Sequence, residues 1–439
     1  MEFGKHLEKG IWGIADKALP VIYGLAYVVL VIRVLPEVEF GNFVLIQEIF
    51  LIVTNLAAAF ALHPLLKFGS EQGADERGIN TGALVLNAAF LLPCSLLAVL
   101  LKREAALVLN APLLEGLMDY LPAMFAANFV RNFCLVLLQA RFRMQEVFWA
   151  DAAHFLGAPV LIYVYSKLGL FNSALDLIHI NLYSLSFSSL TGAWLSRRFL
   201  RFRMRPSRGE FRRMWDYGKF SAGTIVNYML STRADTFILS AFWGPVQVAV
   251  YNSVKVFVRI YDMVAQVGQM FIFPAVSRLS SQGDAASLKK LLEKGVAFMT
   301  MGLLPVFILY LFLSPLMIRI VYGDRYGEGV LMLQIFSAVC FLAPLIAVTS
   351  NNLLGLGQAR LSFFLSLKTL AGSAAAFFVL IPWLGATGAA AGFVFSAALQ
   401  AWLFTAASNR FTPLAWRAVQ ARTGDVWAFL RSAMERRPF

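Results

Sequence analysis

The chain has 439 residues, of which 59% are hydrophobic and 14% are charged, and its formal net charge is +13. Average soluble domains are about 45–50% apolar and about 25% charged, so this composition excludes an ordinary water-soluble globular fold. The four histidines are scattered, and the cysteines at 94, 134 and 340 lie inside apolar blocks at spacings that favour neither a disulfide framework nor a metal site.

Apolar blocks of about 20 residues recur along the chain, each long enough to cross about 30 Å of hydrocarbon as a helix. Breaks at charged residues, Gly and Pro predict about twelve transmembrane helices, the first retained rather than cleaved as a signal peptide. The sequence therefore predicts an all-α integral membrane protein. The predicted helices are 11–35, 41–66, 79–101, 116–139, 148–166, 176–195, 216–243, 247–277, 293–318, 329–354, 361–382 and 386–408.

Lys and Arg are distributed unequally between the predicted connections. With the N-terminus placed in the cytoplasm, the inner segments hold far more of them than the outer segments, including an arginine-rich run at 197–213. This positive-inside asymmetry predicts a bacterial inner-membrane protein with both termini in the cytoplasm. We interpret the arginine run as a juxtamembrane segment beside anionic lipid, and we expect no nucleic-acid partner.

The sequences on either side of the arginine run resemble each other in order. Residues 36–39 correspond to 244–247, and residues 139–141 correspond to 358–360. Internal duplication is typical of secondary transporters, and six helices in each half predict parallel repeats. The predicted domains are a six-helix bundle at 1–200, a basic cytoplasmic linker at 201–215, a second six-helix bundle at 216–408 and a cytoplasmic amphipathic tail at 409–439.

Polar residues recur on one face of the predicted eighth helix, within an arc of about 100°. A charge at the bilayer centre costs from about 2.5 to more than about 10 kcal/mol unless it meets water or a partner, so this stripe is expected to face a cavity or another polar helix. The alternative is a local pair of Arg259 and Asp262 with Lys255 snorkelling outward. The stripe consists of Asn252, Lys255, Arg259, Asp262, Gln266 and Gln269.

Other predicted helices supply further cations and amides. The cations outnumber Asp235 and Asp262, the acidic partners assigned at similar depth, and this excess favours an anionic cargo; for each cation alone, a structural ion pair is the alternative. The additional cavity candidates are Arg131 with Asn128 and Asn132, Arg233 with Asn227, and Lys368.

Carboxylates inside the predicted helices are candidates for ion coupling or gating. They are Asp262, Asp235, Glu48 and Asp16, with Asp151 and His154 as further polar intrusions. The coupling ion would be H⁺ or Na⁺, and we expect no other cofactor. The longest predicted outer connection, 102–115, leaves little room for a catalytic domain, and no phosphate loop, zinc-protease helix or nucleophile elbow occurs, so a transporter is expected rather than an enzyme.

Several motifs resemble a known family. They are Tyr217-Gly218-Lys219-Phe220, Arg233-Ala234-Asp235, 273–278, 322–326 and 384–390. In these motifs, and over nearly its whole length, the chain resembles the polysaccharide repeat-unit flippases, the O-antigen and exopolysaccharide transporters of the multidrug/oligosaccharidyl-lipid/polysaccharide (MOP) exporter superfamily.

The resemblance implies a V-shaped pair of six-helix bundles with a central cationic cavity. It implies that the protein moves an undecaprenyl-diphosphate-linked oligosaccharide from the cytoplasmic to the outer leaflet by alternating access, driven by an ion gradient or the membrane potential. Arg233, Lys255 and Arg259 would contact the diphosphate or acidic sugars. Its expected partners are the lipid-linked oligosaccharide, membrane lipid and other polysaccharide-assembly proteins. The alternatives are a multidrug cation exporter of the same superfamily and a membrane glycan polymerase or ligase.

Overall fold

The computed structural model describes residues 12, 19–20, 23–24, 30–71, 75–203, 208–323, 326–422 and 424–425. These residues form helices joined by turns and short coil, and no strand occurs among them, which confirms the all-α prediction. Most of the predicted first helix, with Asp16, lies outside the described residues, as does the end of the predicted tail.

Contacts divide the chain into two compact units, Met1–Ala249 and Val250–Phe439. The linker predicted at 201–215 separates the two duplicated halves and stays a prediction. The division after Ala249 instead separates groups of helices that contact one another. The helices of the first unit are α1 (Glu37–Ala57), α2 (His63–Gly69), α3 (Glu76–Leu100), α4 (Lys102–Val108), α5 (Leu114–Met118), α6 (Leu121–Gln139), α7 (Met144–Phe155), α8 (Gly157–Lys167), α9 (Ala174–Ser196) and most of α10 (Arg208–Lys255).

The second unit begins within the last turns of α10, and its core lies where α16 packs against α13 and α17. Its remaining helices are α11 (Arg259–Val267), α12 (Phe273–Ser281), α13 (Ala285–Phe312), α14 (Ser314–Tyr322), α15 (Gly329–Ser337), α16 (Val339–Gly355), α17 (Ala359–Ser408) and α18 (Trp416–Ala421).

Long apolar helices make this a multi-pass membrane protein. Among the described residues, six helical stretches are long and apolar enough to cross a membrane, and the pair α15–α16, bent by 43°, makes a seventh. The predicted count of twelve is compatible with this result, because α10 and α17 each combine two predicted helices. Each is broken at a glycine with positive φ, Gly244 at 75° and Gly385 at 56°, a conformation that side chains other than glycine rarely adopt.

The two units share an irregularity that supports their duplication. In the first unit the π-helical turn Ala58–Leu62 joins α1 to α2, and Pro64 is the second residue after it. In the second unit the π-helical turn Gly268–Ile272 joins α11 to α12, and Pro274 again is the second residue after it. One extra residue in a helical turn is rare, so its recurrence before the same proline indicates a common origin of the two helices.

The described start of the predicted tail packs on the second unit. Leu414 and Val419 are buried in one apolar cluster with Leu288, Leu292 and Val276. Lys294 lies 3.1 Å from Asp425, and this hydrogen bond lowers the pKa of the Asp425 carboxyl. These contacts hold the segment that follows α17 against the neighbouring ends of α12 and α13.

Candidate functional site

Helix α1, together with the π-helical turn Ala58–Leu62 that follows it, approaches α10 closely at both ends of their contact, which we call the α1–α10 seam. A Cβ atom on Gly41 would lie 1.9 Å from the carbonyl oxygen of Pro245, and one on Gly218 would lie 2.2 Å from that of Phe60. Small residues at membrane helix interfaces let backbones come together in this way. The side chains of α1 and α10 that lie between these two points are therefore held close together within the first unit.

An ion pair lies in the middle of the seam. Arg233 Nη1 on α10 donates to both carboxylate oxygens of Glu48 on α1, at 2.5 and 2.7 Å. Glu48 is 6% exposed, and Arg233 Nε is buried without a partner among the described atoms. The sequence identified both residues as candidates, Glu48 for gating and Arg233 for substrate, and the structure brings them together.

Arg131 lies elsewhere in the first unit, in a buried network between α6, α7 and α9. Its Nε donates to Ser188 Oγ at 3.0 Å and its Nη1 to Asn132 Oδ1 at 3.2 Å, while its Nη2 pairs with Asp151. Each nitrogen of this guanidinium thus has a partner inside the bundle. Close by on α7, the His154 ring nitrogen Nδ1 lies 2.9 Å from Ser184 Oγ.

Asp151 and Glu48 are the cation partners that sequence reasoning did not assign. From the sequence, five cations were compared with two acidic residues, Asp235 and Asp262. The structure pairs two of the cations with further carboxylates, so the excess of positive charge is smaller than predicted. The sequence does contain a signal for these partners, because Asp151 and Glu48 are charged residues within predicted apolar helices.

Three other candidates in the first unit differ in their burial and hydrogen bonds. Asp235 is buried and accepts a hydrogen bond of 2.7 Å from the backbone N–H of Thr236. Asn128 is also buried, whereas Asn227 is half-buried and its Oδ1 has no partner among the described atoms. Asn227 therefore leaves an unused acceptor on α10, between the middle of the seam and its Gly218 end.

The polar stripe of the predicted eighth helix lies in the second unit. Lys255 is half-buried, with its Nζ 5.3 Å from the ring centroid of Tyr251, whereas Arg259, Asp262 and Gln266 are exposed. A 3-10 turn, Val256–Val258, interrupts the helix between Lys255 and Arg259, so the predicted continuous α-helical arc was wrong at this point. The tighter winding of this turn rotates Arg259 relative to Lys255.

The remaining candidates are less informative. Asn252 is half-buried in the second unit, and Lys368 on α17 is exposed, with no ion pair to any described residue. The side chain of Gln269 and the whole of Asp16 lie outside the described residues. In the part of the chain that the structure describes, no group of three His, Cys, Asp or Glu side chains is placed to hold a metal ion.

Sequence comparison connects these features to a family. Residues 14–331 match the profile of a family described as "Polysaccharide biosynthesis protein", and this region is well over half of the chain. The chain belongs to this family. A segment of 201 residues is 24% identical to a putative O-antigen transporter of Shigella flexneri, covering 44% of the chain and 47% of that protein, so the match spans about half of the relative's length.

Solved structures resemble this protein over nearly the whole length of the chain. The lipid II flippase MurJ, in an inward closed conformation, matches with a TM-score of 0.72 at 10% identity, covering 99% of this chain and 94% of that one. An inward-facing multidrug resistance MATE family transporter of the MOP superfamily matches with a TM-score of 0.71 at 16% identity, covering 94% and 99%. The predicted fold class is thereby confirmed, and the family match supports the predicted resemblance to polysaccharide repeat-unit proteins; the named relatives are themselves transporters or flippases.

Proposed function

We propose that this protein flips an undecaprenyl-diphosphate-linked oligosaccharide repeat unit from the cytoplasmic to the outer leaflet of a bacterial inner membrane. Membership of the polysaccharide biosynthesis family supports a glycan cargo. The named relatives, a putative O-antigen transporter and a lipid II flippase, support a cargo anchored to a lipid.

The observation that carries the proposal is the exposed charge on α11. Arg259 and Asp262 are exposed on a helix that the sequence places within the membrane, and Lys255 lies half-buried before them. Exposure of a charge to hydrocarbon costs several kcal/mol, so the exposed surface of these side chains favours a hydrated surrounding. A hydrated path lined by Lys255 and Arg259 suits the headgroup of a lipid diphosphate, which cannot cross hydrocarbon unaided.

Within the first unit, the Glu48–Arg233 pair is by itself a candidate contact for a lipid diphosphate. A diphosphate presents several anionic oxygens, and arginine binds phosphate with charge-assisted hydrogen bonds as strong as those it makes to a carboxylate. In the proposed cycle Arg233 exchanges Glu48 for the diphosphate when the seam loosens, and returns to Glu48 after release. The unused Nε of Arg233 gives it a donor with which to begin this exchange.

The membrane potential favours export of such a cargo. A diphosphate diester carries two negative charges, and each charge gains about 2.3 kcal/mol per 100 mV when it moves outward across an inside-negative membrane. The potential therefore contributes about 4–5 kcal/mol per 100 mV to flipping. Glu48, Asp235 and Asp262 remain the described candidates for an additional coupled H⁺ or Na⁺.

Charge reversal in cells tests this proposal. In a strain whose own repeat-unit flippase is deleted and replaced by this protein, Arg259→Glu and Arg233→Glu are expected to stop surface-glycan production while lipid-linked repeat units accumulate inside. Arg198→Glu is the matched control, because Arg198 is exposed in the connection after α9 and belongs to no candidate site. Normal surface glycan in both variants, at wild-type protein abundance in the membrane, would overturn the proposed role of these arginines.

A further inference from the structure

An open pocket that none of the predicted site residues lines lies at the Gly218 end of the α1–α10 seam. Its volume is about 380 Å³, within the range of about 300–1,000 Å³ typical of small-molecule sites. The topology predicted from the charges places this end on the cytoplasmic side. The pocket, which we call the His63 pocket, is lined by His63, Tyr217, Phe220, Ser221 and Ile225.

Local irregularities of the backbone form this pocket. The π-helical turn Ala58–Leu62 ends directly before His63, and such turns often occur at functional sites because they reorient the side chains that follow. Gly218 brings α10 against the carbonyl of Phe60, so the next turn of α10 places Ser221 beside His63. The His63 ring nitrogen Nδ1 and Ser221 Oγ lie 2.7 Å apart across the seam.

The walls of the pocket combine unused hydrogen-bonding groups with aromatic rings. Among the contacts of the described residues, neither His63 Nε2 nor the Tyr217 hydroxyl has a hydrogen-bond partner. Phe220 is 72% exposed, and the ring of Tyr217 is held by Phe68 at 5.7 Å and by Lys67 Nζ at 4.5 Å. Neutral donors and acceptors thus stand beside two large aromatic surfaces.

We propose that the His63 pocket binds a sugar ring of the lipid-linked oligosaccharide at the cytoplasmic end of the path. A pyranose has apolar C–H faces that stack on aromatic rings and a rim of hydroxyls that both donate and accept hydrogen bonds, as His63, Ser221 and Tyr217 do. A phosphate would instead require charged donors. Of the cations beside the pocket, Lys67 lies over Tyr217 and Phe68. Lys219, 5.3 Å from the Phe220 ring centroid, pairs with Asp216 at 2.6 Å.

The pocket and the central ion pair can serve one cargo. Ser221 and Arg233 lie on the same uninterrupted stretch of α10, about 18 Å apart at about 1.5 Å per residue. The sugar is engaged at the Gly218 end, and the diphosphate at Arg233 deeper in the seam. This inference rests on the proposed function, since it specifies where that substrate is first held.

Photo-crosslinking tests the occupant directly. A benzophenone amino acid is placed at Phe220 of the full-length protein in cells that make the glycan, and the captured lipid is identified by mass spectrometry after mild-acid release of its sugars. Phe187 on α9, 61% exposed, is the matched control position. We expect sugar-bearing lipid at position 220 at about ten times the yield at position 187, the ratio given by a binding preference of about 1.4 kcal/mol.

Hydrogen-bond variants complete the test. His63→Leu and Ser221→Ala, made in the position-220 crosslinking protein, are expected to lower the captured sugar several-fold, whereas His63→Gln, which keeps a hydrogen-bonding side chain, retains more of it. Capture of phospholipid or sugar-free lipid alone, or equal capture at both positions, overturns the sugar site. If Arg259→Glu still abolishes export in that case, the pocket proposal fails while the proposed function stands.

Discussion

Two arginines that look alike in the sequence have different surroundings in the first unit. Arg131 gives all three nitrogens to Ser188, Asn132 and Asp151, whereas Arg233 pairs with Glu48 and keeps a buried Nε without a described partner. A guanidinium whose three nitrogens all have partners within its own bundle stabilises that bundle. One with a donor to spare has a means of binding a ligand. We therefore propose a structural role for Arg131 and keep Arg233 as the candidate for transport.

The buried pair of Arg131 and Asp151 makes this distinction measurable. Removing one partner of a buried ion pair leaves an uncompensated charge and costs about 3–5 kcal/mol, whereas replacing both with apolar side chains is often neutral. We expect Arg131→Met to lower the thermal unfolding temperature of the purified protein sharply and Arg131→Met with Asp151→Leu to restore most of it, with export retained in the double variant. Loss of export by a double variant of wild-type thermal stability would show that Arg131 contacts the cargo.

The sequence could identify which side chains are costly in a membrane but not all of their partners. Residues on one helix were related by the 100° rotation per residue, and that relation placed Arg259, Asp262 and Gln266 together on an exposed face. The partners Glu48 and Asp151 come from other helices, at separations of 185 and 20 residues. Such pairs depend on packing, which no periodicity encodes.

At the scale of elements, glycine and proline predicted where long helices break. The predicted boundaries near 243–247 and 382–386 coincide with Gly244 and Gly385, because a positive φ can be accommodated there without a side-chain clash. The π-helical turns Ala58–Leu62 and Gly268–Ile272 and the 3-10 turn Val256–Val258 left no comparable signal. Their sequences suit an α-helix equally well, so packing selects the local winding.

Substitution of Gly244 tests whether the break in α10 requires glycine. Gly244→Ala places a side chain in a left-handed conformation, at 3.4 Å from the carbonyl oxygen of Asn110, and is expected to destabilise the protein by about 1–3 kcal/mol. Gly302→Ala in α13 is the control, since its Cβ would meet no atom within 4 Å and alanine favours the helix. Thermal unfolding in detergent compares the two, and equal unfolding temperatures would contradict a required break at Gly244.

At the scale of the whole molecule, the chain belongs to the polysaccharide biosynthesis family and shares its fold with a lipid II flippase and a MATE family transporter. A fold does not select a cargo, so the proposed cargo is argued from charge. Glu48 and Asp151 offset two of the candidate cations, so the proposed anionic cargo rests chiefly on Lys255 and Arg259 in the second unit and on the proposed exchange at Arg233 in the first. A multidrug cation exporter would instead be expected to present carboxylates in excess.

Flipping in reconstituted liposomes tests the central claim most directly. The purified protein is placed in liposomes with labelled undecaprenyl-diphosphate oligosaccharide, extracted from cells that lack a flippase, and transfer between leaflets is followed by a glycan-cleaving enzyme added outside under an imposed potential. We predict transfer well above that of protein-free liposomes, accelerated by the potential and lost in Arg259→Glu. Transfer no faster than in protein-free liposomes, together with uptake of an organic cation such as ethidium, would contradict the proposed function.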